Sequence, residues 1–365
     1  MNAFLSGADS LKLTRLARRD PALRLVPCEG GVCRPAAEPV DPAALREALP
    51  QELSGFTAAR PLSLASFSRE TRSQSSLVDP RAFLARLPEG SFLEVIREDG
   101  TPFGSERVPV RLFVESPGIS LVGFARRLLK LVRGGAISED AAFVRLLSLA
   151  MEACGLYARD PCAPLTGECA YDVESVGSAD DLRLQLGELS RLQGLRLARE
   201  VASYAKDGSG SPGETLLSLV MRLPPRRGGI PLPDFVENEP VEWPEDARDV
   251  VKHQTMRPDF HWPKHRVASE YNGGAHGQSS AYVEDSFRVQ DYAACDIALV
   301  PATYDDIRNA ASLERFVRLV AKKLAPHEDE GFLRRVADSI ADQQARKKRI
   351  VLLGQLLPPD PRYSE

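Results

Sequence analysis

The sequence predicts an α/β (α+β) protein, with a mixed sheet flanked by helices in its C-terminal half and a mainly helical N-terminal half carrying one β-hairpin. Three observations predict it. Helical periodicity dominates the region from 120 to 206. The stretch DGSGSPG at 207–213 is a strong breaker. Beyond it, short extended segments alternate with helical ones. At 365 residues the chain exceeds one compact domain. The expected division is a loosely packed lead-in at 1–55, a mainly helical domain at 56–206, an α/β domain at 207–325 and a C-terminal helix with its tail at 326–365.

The elements follow in order. Residues 1–55 are rich in Pro and Ala with weak periodicity. GSFLEVIRE and VPVRLFVES flank a DG-containing connection and read as the hairpin. Ser120 is the expected cap of LVGFARRLLKLVRGG, which Gly134 ends. The next helix is expected from Ser138 to Leu156, with Glu139 and Asp140 in its first turn, where the dipole favours anions. Two more helices fill 178–206, broken near Gly194. After the boundary the expected order is helix 212–222, extended segments at 233–243, 256–262 and 266–272, helix 280–293, strand 296–301 and helix 311–324. One amphipathic helix is expected over 331–357, with a basic RKKR run at 346–349.

Composition narrows the function. No apolar run approaches the roughly 18 residues of a membrane span, and the N-terminus lacks a secretory signal pattern. A cytoplasmic protein without a membrane partner is therefore expected. The six cysteines include CEGGVC at 28–33 but no paired C-x2-C framework, so reduced thiols are expected. The net charge is −4, and residues 206–325 hold 15 Lys/Arg against 18 Asp/Glu, which excludes a protein that coats nucleic acid through bulk charge. Local basic groups remain candidates: Arg222, Arg226 and Arg227; Lys264 and Arg266; Arg315, Arg318, Lys322 and Lys323.

The chemistry concentrates in RPDFHWPKHRVASEYNGGAHG, residues 257–277. A hairpin centred between Lys264 and His265 pairs residues whose numbers sum to 529, which sets Asp259 opposite Glu270. Opposed residues share a face with Cβ atoms about 4.5–5.5 Å apart, and like charges there repel. A proton or a cation must neutralise them if they are buried, and oxygen ligands suit Mg²⁺. Period-2 geometry adds His261 and Asn272 to that face. An edge hairpin with two exposed acids fits the same pattern. Upstream, SPGE at 211–214 forms a capping box with Ser211 at N-cap, Pro212 at N1 and Glu214 at N3. Downstream, Asp285, Arg288 and Asp291 stand three apart, a spacing that helix-surface ion pairs also explain. His253, His261, His265 and His276 lie close in sequence without the spacing of a zinc site. His276 follows two glycines at the strand end.

The series Glu214, Pro258-Asp259 and Glu270-Tyr271-Asn272 resembles the helix-borne Glu and the D…E-x-K core of the PD-(D/E)XK nuclease superfamily. DFHWPKHRVASEYNGGAHG, followed by Asp285, Arg288 and DIALVPATYDDI, is similar to a bacterial group related to very-short-patch-repair endonucleases, over residues 209–324. That resemblance implies a restriction-endonuclease-like sheet and hydrolysis of DNA with Mg²⁺ or Mn²⁺. It implies metal ligands Asp259, Glu270, the Tyr271 carbonyl and Glu214, with Asn272 and His276 completing the catalytic set. Arg288, Lys264 and Arg266 become substrate-binding candidates. Some members of the group carry a helical N-terminal half and resemble antitoxin or abortive-infection regulators, which VESPGISLVGFARRLL (114–129) echoes. Asn272 stands where the pattern has Lys or Asp. It therefore keeps a second reading open, a nuclease fold that binds DNA or a protein partner without cutting.

Overall fold

The computed structural model describes residues 1–28, 40–67, 73–83, 87–273 and 279–358, with the side chains of Asp246 and of 279–285 outside that description. The chain is mixed α/β and divides into two units, Met1–Lys206 and Asp207–Glu365. No described helix is long and apolar enough to cross a membrane. No disulfide joins the described cysteines, Cys28, Cys154, Cys162, Cys169 and Cys295. Cys33 lies outside the described residues.

The first unit opens with β1 (Asn2–Phe4), α1 (Gly7–Arg19), β2 (Leu23–Pro27), α2 (Pro42–Ala48), α3 (Gln51–Ser54), β3 (Leu62–Ser66) and β4 (Val78–Ala82). It continues through β5 (Phe92–Arg97), β6 (Phe103–Ser105), β7 (Val108–Glu115), α4 (Pro117–Arg133), α5 (Glu139–Cys154), β8 (Tyr157–Ala158), β9 (Ala170–Tyr171), α6 (Ala179–Glu188) and α7 (Leu195–Ala202). Its main sheet runs β1-β7-β5-β2, with β6 also on β7. The expected hairpin is present as antiparallel β5 and β7, with Phe92 opposite Glu115 and Val95 opposite Leu112.

Three expectations need correction here. Residues 1–55 are no loose lead-in. β1 pairs parallel with β7 through Ala3 and Leu112, and Leu5, Leu13, Leu45 and Leu53 join the buried core. Burial of those apolar side chains, about 1.5–3 kcal/mol each, is what draws a weakly periodic segment into the sheet. The unit is accordingly as much sheet as helix in its first half. The helix at 117–133 starts one turn earlier than Ser120, at Ser116-Pro117, because Pro at N1 has its φ pre-set for a helix start.

The second unit contains α8 (Pro212–Arg222), β10 (Val236–Glu237), β11 (Phe260–Trp262), β12 (Val267–Asn272), α9 (Ser279–Ala294), β13 (Ala298–Thr303), α10 (Tyr304–Ile307), α11 (Ala310–Leu324), α12 (Phe332–Ala341) and α13 (Gln343–Leu356). The sheet order is β10-β11-β12-β13, antiparallel except for the β12–β13 pair. The single tail helix expected over 331–357 is two helices. Asp342 breaks it by capping the second, its carboxylate accepting from Gln344 N and Ala345 N.

Aromatic packing fixes the β11 strand. Phe260 and Trp262 are fully buried. Phe235 sits over both, with ring centroids at 5.5 Å and 4.9 Å. Trp262 Nε1 donates to the Pro233 carbonyl at 3.0 Å. Arg222 stacks on the other side of the group, 3.7 Å from the Phe235 centroid, and donates to the Phe235 carbonyl and the Glu237 carboxylate. Its role is therefore internal packing rather than an open basic patch. Arg349, in the RKKR run, is fully buried and bonded to Glu314 and to the Gly228 carbonyl.

Candidate active site

The hairpin register decides the site. Phe260 pairs with Ser269, His261 with Ala268 and Trp262 with Val267, and each pair sums to 529. Asp259 continues that register just outside the ladder, and its Oδ2 accepts from Tyr271 N at 2.5 Å. Because side chains alternate, Asp259, His261, Ala268, Glu270 and Asn272 share one face. Ala268 packs there with Trp243 and Tyr292.

Glu270 projects from that face and is only 6% exposed. Its Oε1 accepts from Arg288 Nη2 at 2.6 Å and from the Tyr292 hydroxyl at 2.8 Å, both donors lying on α9. Burial and the Glu270 charge push the Tyr292 phenol well above its ordinary range. Arg288 thus reaches from the helix to the strand and supplies a cation to the acidic group.

Glu214 arrives from the first turn of α8 and is 7% exposed. The Ser211 hydroxyl accepts from Glu214 N at 3.1 Å, as the capping pattern requires. The return bond is shifted by one residue: Glu214 Oε2 accepts from Gly210 N at 2.7 Å rather than from Ser211 N. Asn238 Nδ2 donates to the same oxygen at 2.8 Å. Asn238 holds a left-handed conformation, φ 51°, and its backbone N donates to the Pro258 and Asp259 carbonyls. It thus ties the α8 N-terminus to the strand that carries Asp259. Gly213 completes the fit, since a Cβ there would stand 2.2 Å from Tyr271 Cε1.

The three acids act on one another. Burial raises the Asp259 carboxyl first, and the charges of Glu214 and Glu270 add to it, so that it titrates at about 8. Tyr271 N and Arg288 oppose the rise but do not cancel it. Burial also raises Glu214, against the hydrogen bonds from Asn238 and Gly210. The hydrogen bonds above fall on Oε2 of Glu214, Oδ2 of Asp259 and Oε1 of Glu270, and the Ser211 side chain also acts on the Glu214 carboxyl. The donor chemistry therefore suits a hard cation. No group of three or more His, Cys, Asp or Glu side chains among the described residues stands arranged to hold a metal ion.

Other sequence candidates fall elsewhere. Lys264 and Arg266 flank the turn at the opposite end of the hairpin. Four residues of strand separate Arg266 from Glu270, roughly 13 Å. Arg266 pairs with Asp296 at 3.4 Å. The Pro263–His265 turn thus sets Lys264 and Arg266 apart from the carboxylates. His253 pairs with Asp291 at 2.5 Å and His265 with Glu328 at 2.8 Å. His261 stays half-buried on the site face, its pKa lowered by burial. Asn272 is half-buried on the Glu270 face. His276 and the Asp285 side chain lie outside the described residues.

Sequence reasoning missed Asn238 and Tyr292. Asn238 carried one usable signal, since Asn is enriched at positive φ and EN-E-P follows a strand. Tyr292 carried another, four residues beyond Arg288 and so on the same helix face. Comparison of the chain with protein-family models, with curated proteins and with solved structures returns no match.

Proposed function

We propose that the C-terminal unit is a metal-dependent phosphodiesterase acting on DNA, of the PD-(D/E)XK kind, with Asp259, Glu270 and Glu214 as its acidic centre and Mg²⁺ or Mn²⁺ as its ion. The observation that carries this reading is Asp259, held near 8 by burial and by two neighbouring carboxylates. An acid whose neighbours are also acids, with one arginine that does not cancel them, is the kind of perturbed group that clusters at functional sites. A bound divalent ion would polarise the scissile phosphate and lower the pKa of a coordinated water.

The chain's own residues have distinct tasks. Asp259, raised to about 8, would give up its proton on holding a cation. Glu214 adds negative charge from a position fixed by Gly210 and Asn238. The Tyr271 carbonyl is the proposed neutral ligand. Arg288 and Tyr292 hold Glu270 in one orientation. Asn272 can hydrogen-bond a water or a phosphate oxygen but brings no positive charge. His276 is the proposed proton carrier.

A second reading is a regulator or antitoxin-like protein that binds DNA or a protein partner without cutting. The observation favouring it is the 2.6 Å Arg288–Glu270 ion pair, a built-in cation where a metal would act, together with the neutral Asn272. Cleavage of supercoiled and nicked plasmid with Mg²⁺, Mn²⁺ or EDTA separates the two. The nuclease reading predicts strictly metal-dependent cleavage, lost in Asp259→Asn and kept or raised in Asn272→Lys. Cleavage by Asn272→Lys but never by the wild type selects the regulator.

A further inference from the structure

The first unit carries a large cleft of about 1060 Å³. Its lining includes Arg81 from β4 and Arg126, Arg127, Lys130 and Arg133 from α4, with Asp79 as the one acid among the described lining residues. The four α4 side chains are exposed, and none forms an ion pair with a described residue. Arg127 is near enough to buried Glu115 to act on its charge, and all four line the concavity.

Arg81 is positioned from beneath. Its Nη1 donates to Glu115 Oε1 at 3.0 Å and to the Ser6 hydroxyl at 3.3 Å. Glu115 is buried and accepts in addition from the Ser6 hydroxyl and Gly7 N. Gly123 makes room for the guanidinium, because a Cβ there would stand 2.4 Å from Arg81 Nη2. One cation is thus fixed, and the others lie along a helix.

Spacing identifies the partner. Arg126, Lys130 and Arg133 stand at i, i+4 and i+7 on one face of α4 and span roughly 10 Å. One strand of a duplex presents a phosphate about every 3.4 Å along its axis, so about three phosphates face that span. No aromatic side chain lines the cleft among the described residues, so it offers no platform for an unstacked base. We propose that this cleft binds the phosphodiester backbone of a nucleic-acid duplex, without reading its bases. The proposal stands apart from the carboxylate centre of the other unit.

The test is fluorescence anisotropy of a labelled duplex with the full chain between 50 and 200 mM salt, roughly the range over which counterion release is read. DNA and RNA duplexes of one sequence form two arms that identify the source of the backbone, and binding to either supports the proposal. Charge reversal in Arg126→Glu/Lys130→Glu is expected to weaken binding at least tenfold. It should also flatten the log–log salt slope by about two, near 0.9 per lost contact. Arg133→Ala should flatten it by about one, and Gly123→Ala should weaken binding by displacing Arg81. Thermal melting of each variant reports folding. The titrations are run in EDTA, so that duplex binding is read with no ion at the carboxylate centre, which separates failure here from failure there. Absence of duplex binding by the wild type, an unchanged slope in folded charge-reversal protein, or equal binding of poly-glutamate overturns the proposal.

Discussion

Two acids, buried Glu152 in the first unit and half-buried Asp259 in the second, meet opposite fates. Glu152 on α5 lies deep in the first unit, where Arg15 grips it through two bonds of 2.7 Å and 2.6 Å and Arg159 N donates at 3.1 Å. Burial pushes its carboxyl up, but Arg15 and Arg159 more than offset that, and it titrates below the ordinary value. Asp259 accepts from a backbone N–H and has two acids nearby, while Arg288 is bonded to Glu270 and only partly offsets them, and it rises to about 8. Burial alone does not mark a site. What differs is the countercharge: Arg15 bonds Glu152 directly, whereas Arg288 bonds Glu270 and only partly offsets the rise of Asp259.

That contrast can be broken by neutralising each acid in turn. Glu152→Gln strands the Arg15 charge in the interior and is expected to cost about 3–5 kcal/mol in denaturant unfolding. Asp259→Asn should do the reverse, stabilising the protein by about 2–4 kcal/mol at pH 9. The sign follows from proton counting. Unfolded Asp259 ionises near 3.8, whereas the folded group holds its proton to about 8. Between those values the folded state binds the extra proton, so wild-type stability falls as pH rises, and the gain from Asn should vanish near pH 4. For Glu152 the folded group is the stronger acid, so its contribution is present at neutral pH and is lost on acidification. Unfolding curves of both variants at pH 4, 6 and 9 check both signs.

Two smaller changes sharpen the comparison. Gly213→Ala forces the Tyr271 ring away from the α8 N-terminus. A loss of about 1–3 kcal/mol is expected, the scale of local overpacking. Glu214→Gln retains an oxygen for Gly210 N and Asn238 but removes a charge. Stability should change by no more than about 1 kcal/mol. The Asp259 titration followed by NMR should nonetheless move below 8, since Glu214 is one of the two charges that hold it up.

The hairpin that carries the acids was legible because its determinants are local. Pro263 and a three-residue link fix the turn, and alternation of Phe260 and Trp262 against Asp259 and His261 sets the faces. One register then satisfied all of them. What escaped depends on distant partners. β1 pairs with β7 across more than a hundred residues, and nothing local in NAF announces it. The expected helix 280–293 spaced Arg288 for pairing along its own surface, and the contact with buried Glu270 depends on a strand that local spacing does not reveal. Asn238 reaches Glu214 only once the chain has folded back on itself.

The claim that Asp259 is a cation site is tested most directly by calorimetric titration of Mn²⁺ or Mg²⁺ at pH 7 in two buffers of different ionisation enthalpy. Asp259 is then still protonated. Binding should therefore release close to one proton per ion, tighten as pH rises toward 8, and disappear in Asp259→Asn. Absence of binding in the wild type, or binding with no proton released and equal strength in Asp259→Asn, would contradict it.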